Sequence, residues 1–399
     1  MTAAPRRVVI VGASAAGLAA AETLRRLGHT GTITLIGDEA SAPYDRPPLS
    51  KEILSGAWTP DRLPLRAASD LDGLDLDTRY GRAAIGLDPG ARTVQLSDGS
   101  EAAYDALIVS TGVRPRHLPG TPAHVLRTLD DALALKDRLG PGRSLIVVGA
   151  GFLGAEAAAV AAGLGTKVTL LEPAPVPLAH AVGQVVGSVL SQAHLDHGVD
   201  LRTGTAVAEI VPTGVRLTDG SVLTAETVLV AIGCRPNIEW LTGSGLSLDD
   251  GLVCDEYCAA APAVYGAGDV SRWHNPLFHT SMRIEHRTNA TEQGIAAARN
   301  LLGGGRPFAP VPYFWSDQYD MKIRAHGHLR GHDEVRIVEG DLRERTFLAA
   351  YRTGNRLTGV LAVGMPPKTV RPWQRAIAAR TRWQDVIPAS APTTTGTTP

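Results

Sequence analysis

With 399 residues, 44% of them hydrophobic and 20% charged, and a formal net charge of −1, the chain has the profile of a globular protein of two or three domains. Its 43 glycines and 27 prolines stay below a low-complexity composition, and no apolar run reaches the roughly 18 residues of a membrane span. The near-neutral balance argues against general nucleic-acid binding. Three cysteines without a Cys-x-x-Cys pair exclude a disulfide framework, dithiol redox chemistry and the usual zinc spacings, which suits a reducing cytoplasm.

From the N-terminus, the apolar run Arg7–Val11 predicts a short strand, followed by a glycine turn and an Ala/Leu-rich helix. Arg6 and Arg7 before Val8–Ala21 imitate a secretory signal, but the pattern runs on into Glu22 and Leu24 and recurs in mid-chain, where no signal can be. The turn, Gly12-Ala13-Ser14-Ala15-Ala16-Gly17, carries serine in the second glycine slot of a dinucleotide-binding fingerprint. A second strand, Thr32–Ile36, ends at Asp38 and Glu39, which suit the ribose of a bound nucleotide. Next, Val94–Ser100 leads through an Asp-Gly hairpin turn to the strand at Leu107–Val109 and on to Pro115.

All of this then repeats. Ser144–Val148 runs into Gly149-Ala150-Gly151-Phe152-Leu153-Gly154, a full Gly-x-Gly-x-x-Gly between a strand and a helix. Its first glycine permits the tight turn, its second lets backbone approach a pyrophosphate, and its third lets helix pack on strand. The following strand, Lys167–Leu171, ends at Glu172, placed to accept hydrogen bonds from an adenosine ribose and to repel a 2′-phosphate, which favours NADH over NADPH. Val215–Ser221 and Leu229–Pro236, with Gly233 as a cofactor-binding candidate, copy the earlier hairpin and strand at the same spacing. Two tandem nucleotide sites imply two dinucleotides, and the pair that supports hydride transfer is FAD with a nicotinamide nucleotide.

Beyond the repeat, Val264–Val270 reads as a strand end with glycines and Asp269, and Thr288–Leu302 as a helix stopped by Gly303–Gly305. From Val311 to about Val386 the pattern predicts strands at Met321–Ala325, Glu334–Val338 and Thr346–Tyr351, a basic helix near Trp373–Arg382, and a disordered Thr/Pro-rich tail. Between Met321 and Trp383 stand 13 Lys/Arg against 5 Asp/Glu. His326-x-His328-x-x-x-His332 raises a metal hypothesis that lacks a cysteine and is broken by glycines, so no metal site is expected.

The segments Gly37–Lys51, Leu126–Asp131, Gly266–Val270, Arg283–Ala290 and Trp315–Gln318, together with the two glycine turns, carry a resemblance. Over about residues 6–385 the chain resembles the NADH-dependent, FAD-containing ferredoxin reductases that serve Rieske-type oxygenases and bacterial cytochromes P450. The resemblance implies an α/β fold of two tandem Rossmann-like nucleotide-binding domains and a small α+β C-terminal domain. The expected boundaries are 1–117 with 240–310 for FAD, 118–239 for NAD, 311–388 for the reductase domain and 389–399 for the tail. It implies that Lys51 lies near the flavin and pairs with Glu156 at the nicotinamide as the catalytic pair. Arg46, Arg82, Arg127, Asp269, Glu285, Arg287 and Trp315 then join Gly12, Ala13, Ser14, Ala16 and Gly17 around FAD. Arg287 stands where an aromatic or apolar residue is expected; it either stabilises the reduced flavin or points to solvent.

The partner so implied is an acidic iron–sulfur ferredoxin, held transiently and electrostatically by the basic C-terminal segment, with no nucleic acid and no membrane involved. Two rivals stand beside this reading. One is an NADH-dependent flavin reductase with another acceptor, such as rubredoxin, a quinone or an organic radical; the other is a flavoprotein of the apoptosis-inducing-factor type. Oligomeric state is not legible.

Overall fold

The structure, a computed structural model, describes residues 5–387; the tail expected at 389–399 lies outside them. Within these residues two compact units emerge, 5–45 with 61–114 and 235–312, and 46–60 with 115–234 and 313–387.

In the first unit a six-stranded sheet runs in the order Ala259–Ala261, Val264–Gly266, Ala106–Val109, Arg7–Val11, Thr32–Ile36, Asp77–Arg79. All its pairs are parallel except the outermost, Ala259–Ala261 with Val264–Gly266. Val8, Ile10, Ile33, Leu35 and Leu107 are fully buried, as β-branched and leucine runs are when both faces of a parallel sheet are covered. Helix Ala15–Arg26 packs on helix Arg287–Leu301, and its small residues permit close approach. A Cβ added at Gly294 would sit 2.2 Å from the Ala16 carbonyl oxygen. We therefore expect Gly294→Ala to cost at least about 2 kcal/mol in thermal or urea denaturation, because backbone cannot yield as a side chain can.

The second unit holds a four-stranded parallel sheet in the order Asp200–Thr203, Lys167–Glu172, Ser144–Val148, Thr227–Val230. This is the same order in which Asp77–Arg79, Thr32–Ile36, Arg7–Val11 and Ala106–Val109 lie in the first unit, so the sequence repeat is a repeat of topology. Each copy also carries a three-stranded antiparallel piece, Ala84–Asp88 to Glu101–Ala103 and Val207–Val211 to Val222–Thr224. The predicted Asp-Gly turns sit in these pieces, with Gly99 and Gly220 at φ +83° and +90°, where glycine has no Cβ penalty.

The remainder of the second unit is a five-stranded antiparallel sheet ordered Tyr313–Gln318, Met321–Gly327, Arg356–Val363, Thr346–Thr353, Glu334–Asp341. The three strands expected there are present and longer, and Tyr313–Gln318 and Arg356–Val363 complete the sheet. One of its faces shares a core with helix Ala179–Asp196, through Val182, Val186 and Leu190 against Ile323, Phe347 and Leu361. That helix, unmarked in the sequence by caps, is interrupted at Gly183 (φ +81°, ψ +170°). The basic helix spans Pro367–Ala378 rather than Trp373–Arg382. Proline at its first position is pre-set for helix, and Arg380 at φ +56° marks the turn beyond its end. His326 lies on the strand Met321–Gly327 and His328 beyond its end. Gly327, at φ +88°, ends the strand and breaks the alternation between them.

Candidate functional site

In the first unit, Gly12 (φ +118°) turns so tightly that a Cβ would lie 2.0 Å from the Ser110 carbonyl oxygen, and one on Gly17 would lie 2.0 Å from that of Gly12. Ser14 caps helix Ala15–Arg26 in extended conformation without a side-chain hydrogen bond to the helix. Asp38 and Glu39 follow the second strand; Glu39 Oε2 accepts the Tyr44 hydroxyl at 2.5 Å. The Arg82 amide donates to the Gly37 carbonyl, while its guanidinium pairs with Asp98. Asp269 lies on a single 3₁₀ turn, Gly268–Val270, beside the first turn of that helix: a Cβ on Gly268 would be 3.1 Å from Ala16 Cβ. Ala13, Ala16 and Asp269 are thus gathered with the glycine turn. Glu285 pairs with Arg283 at 2.6 Å. Arg287, at the head of helix Arg287–Leu301, is held by Asp45 and by Thr291.

The second turn follows the same rule with one informative difference. Gly149 (φ +100°) and Gly154 are forced by backbone at 2.5 Å (Ala231 O) and 2.0 Å (Gly149 O), whereas a Cβ at Gly151 would meet no protein atom within 4 Å. Protein packing therefore does not demand the middle glycine, and Ser14 in the other copy adopts the equivalent helix-cap position. What the small residue leaves open is the approach to the N-terminus of helix Phe152–Gly163, whose first turn carries no acidic side chain. Backbone N–H groups and a positive dipole end facing such a cradle suit a pyrophosphate. Glu172 sits against this turn, Oε2 accepting the Ala150 amide at 2.8 Å and Oε1 the Ala174 amide at 2.9 Å. Gly233 has φ +90° and accepts the Arg116 amide. Leu153 is exposed, and Phe152 meets Phe314 edge-on at 4.6 Å.

Just over one turn into that helix, Glu156 is buried to 5% exposure. Its Oε2 accepts Lys51 Nζ at 2.7 Å and Ser50 Oγ at 2.6 Å, and its Oε1 accepts Ser316 Oγ at 2.6 Å. Lys51 also donates to the Pro47 carbonyl. The 3₁₀ turn Pro47–Ser50, opened by two prolines, sets the spacing of these donors. Arg46 reaches the Arg127 carbonyl at 2.8 Å, and Arg127 precedes a helix start fixed by a Thr128–Asp131 capping box. Ser50 and Ser316 lie inside motifs already marked in the sequence, yet nothing in the pattern singles out serine there as a partner of Glu156.

Trp315 is one residue from Ser316 and so faces the other side of the strand, stacked on Tyr313 at 6.0 Å, which in turn stacks on His326 at 4.6 Å. Burial, helped by Arg324, pushes His326 down to about 4, so it is neutral at physiological pH and bonds Gln374. His332 bonds the Leu329 carbonyl. Among the described residues no group of three or more His, Cys, Asp or Glu side chains is placed to hold a metal. Burial pushes the Cys254 thiol up to about 12 and Cys258 higher still, which leaves neither as a thiolate at neutral pH.

Compared with known proteins, residues 6–294 match the pyridine nucleotide-disulphide oxidoreductase family and residues 313–391 the reductase C-terminal family. Rhodocoxin reductase of Rhodococcus erythropolis is 38% identical over 90% of this chain and 86% of its own length. The ferredoxin–NAD(+) reductase component of the p-cumate 2,3-dioxygenase system of Pseudomonas putida is 35% identical over 90% of each chain. Among solved structures, the covalent putidaredoxin reductase–putidaredoxin complex aligns with TM-score 0.89 at 34% identity, over 94% of each chain.

Proposed function

The chain belongs to the pyridine nucleotide-disulphide oxidoreductase family, and from that premise we propose that it is a ferredoxin–NAD(+) reductase, passing electrons from NADH through FAD to an iron–sulfur ferredoxin of a cytochrome P450 or Rieske-type oxygenase. The observation that carries this reading is the buried pair of Lys51 with Glu156, the latter on the helix that opens at the second glycine turn. Family membership supports flavin and NAD(H) binding; FAD in particular is our assignment. When bound, FAD accepts a hydride from the nicotinamide and releases its electrons singly.

The residues present fit these groups. The amides of Gly12–Gly17 and Gly149–Gly154 would hold the two pyrophosphates, with Asp38, Glu39 and Asp269 on the FAD side and Glu172 and Gly233 on the NADH side. Lys51 supplies a cation that favours negative charge developing beside it, and Glu156 offsets the cost of burying that ammonium. Arg46, Arg82, Arg127, Glu285, Arg287 and Trp315 stay assigned to the flavin on the resemblance. The division 1–117 with 240–310, 118–239 and 311–388 stays our domain proposal. Cysteines that form no disulfide among the described residues suit a cytoplasmic protein, and among the same residues no helix is long and apolar enough to cross a membrane.

For the ferredoxin, the supporting feature is helix Pro367–Ala378, which carries no acidic residue and exposes Lys368, Arg371 and Arg375 on adjoining turns. We expect the double variant Arg371→Glu/Arg375→Glu to raise KM for a [2Fe-2S] ferredoxin roughly tenfold at low ionic strength and to match the unaltered protein in high salt. An unchanged KM at low salt would remove this helix from the docking face. The reading as a whole is tested by anaerobic NADH titration followed by a ferredoxin and cytochrome c. Flavin bleaching with ferredoxin-dependent cytochrome c reduction supports it. Bleaching without that dependence assigns another acceptor, and a colourless protein that ignores NADH overturns the site.

A further inference from the structure

We propose that Ser316, backed by Gln318, is a positioning residue that fixes the Glu156 carboxylate, and through it Lys51, for hydride transfer. The proposal rests on the reading of Lys51 and Glu156 as the catalytic pair. Three chain segments converge on one buried carboxylate: Ser50 and Lys51 share Oε2, and among the described residues Ser316, which is fully buried, is the donor to Oε1. The terminal torsion of a glutamate is broad and two-fold, so donors on one oxygen leave the carboxylate free to swing about the bond that carries it. A donor on the second oxygen removes that freedom.

The direction of the hydroxyl follows from the donor inventory. An ionised carboxylate only accepts, so Ser316 must give its proton to Glu156. Its oxygen then accepts the Gln318 amide, Nε2 to Oγ at 3.3 Å. Donor follows donor, from Gln318 to Ser316 to Glu156, an arrangement in which each bond polarises the next. Gln318 is itself fully buried, and its Oε1 has no hydrogen-bond partner among the described residues. A glutamine kept in the core with one atom unsatisfied is explained by the use of the other. Ser316 and Gln318 are two apart on strand Tyr313–Gln318 and so share a face, and Phe314 on that same face meets Phe152 of the Glu156 helix. The C-terminal sheet thereby supplies part of the nicotinamide-side machinery, whereas Trp315 faces away from it.

The test uses the purified yellow holoprotein and stopped-flow anaerobic mixing with NADH. In Ser316→Ala we expect the limiting rate of flavin bleaching to fall about tenfold, as loss of one charge-assisted hydrogen bond allows, with NADH affinity within about threefold of the unaltered value, a split that uniform loss of binding would not produce. Ser316→Thr, which keeps the hydroxyl, should restore the rate. The visible difference spectrum induced by NAD+ should change in Ser316→Ala and return in Ser316→Thr. The double variant Ser316→Ala/Glu156→Gln should be no slower than Glu156→Gln alone, because the serine acts through the glutamate. An unchanged rate and spectrum in Ser316→Ala, or additive losses in the double variant, would overturn the proposal while leaving Glu156 in place. If Glu156→Gln itself bleaches at the unaltered rate, the catalytic-pair reading fails instead.

Discussion

Replacing Lys51 by alanine is expected to slow NADH-dependent flavin bleaching by about 10- to 100-fold while the protein stays yellow, since a hydrogen-bonded charge contributes roughly 1.5–3 kcal/mol where charge develops. The Lys51 side chain is 12% exposed, and its ammonium lies 2.7 Å from the carboxylate of Glu156, whose side chain is 6% exposed, so water screens the pair little. Breaking a buried ion pair ordinarily costs about 3–5 kcal/mol of stability because the remaining charge is stranded. Here Glu156 keeps the hydroxyls of Ser50 and Ser316. The loss on denaturation should therefore fall short of that range, and the kinetic defect should exceed what unfolding explains. Stopped-flow bleaching and the flavin-to-protein absorbance ratio, measured on the same preparation, separate the two. A Lys51→Ala protein that bleaches at the unaltered rate would reduce Lys51 to a structural partner of Glu156.

Coenzyme choice should respond to Glu172 in the second large effect. Glu172→Ala is expected to lower the preference for NADH over NADPH, as the ratio of kcat/KM values, by at least about tenfold, because a carboxylate at that strand end repels a 2′-phosphate. The same side chain accepts the amides of Ala150 and Ala174. Alanine therefore also leaves two backbone donors to find other partners, at about 1–3 kcal/mol for each that stays buried. Glu172→Gln separates the two roles. It removes the charge and keeps an acceptor, so selectivity should relax with a smaller loss of stability. An unchanged ratio in both variants would mean that Glu172 only braces the glycine turn and that selectivity is set elsewhere.

The two glycine turns were legible residue by residue because each is a local backbone requirement. Gly12 and Gly149 combine φ of +118° and +100° with a carbonyl oxygen 2.0 and 2.5 Å from a would-be Cβ, and Gly17 and Gly154 carry backbone 2.0 Å from theirs, contacts that only a residue without a Cβ escapes. The repeat was legible for the same reason: the same order of glycine turn, strand and Asp-Gly hairpin, with equal spacing from the hairpin to Gly112-Val-Arg-Pro115 and Gly233-Cys-Arg-Pro236, implies equal topology, and the two sheets share their strand order. Glu172 could be placed because a strand end follows from the strand.

Residue order and type were therefore enough for the plan: two nucleotide-binding openings, a basic C-terminal module and the residues at each turn. Tertiary structure alone decided which distant side chains meet. Glu156 finds Ser50 at 106 residues' separation and Ser316 at 160, and Arg287 finds Asp45 at 242. The break in helix Ala179–Asp196, the early start of the basic helix Pro367–Ala378 and the separation of His326 from His328 belong to the same class. The physical reason is that a hydrogen bond constrains geometry at both ends but residue type at neither neighbour. Convergence across a hundred residues leaves no periodicity to read, and it becomes visible only when the sheets have brought the segments together.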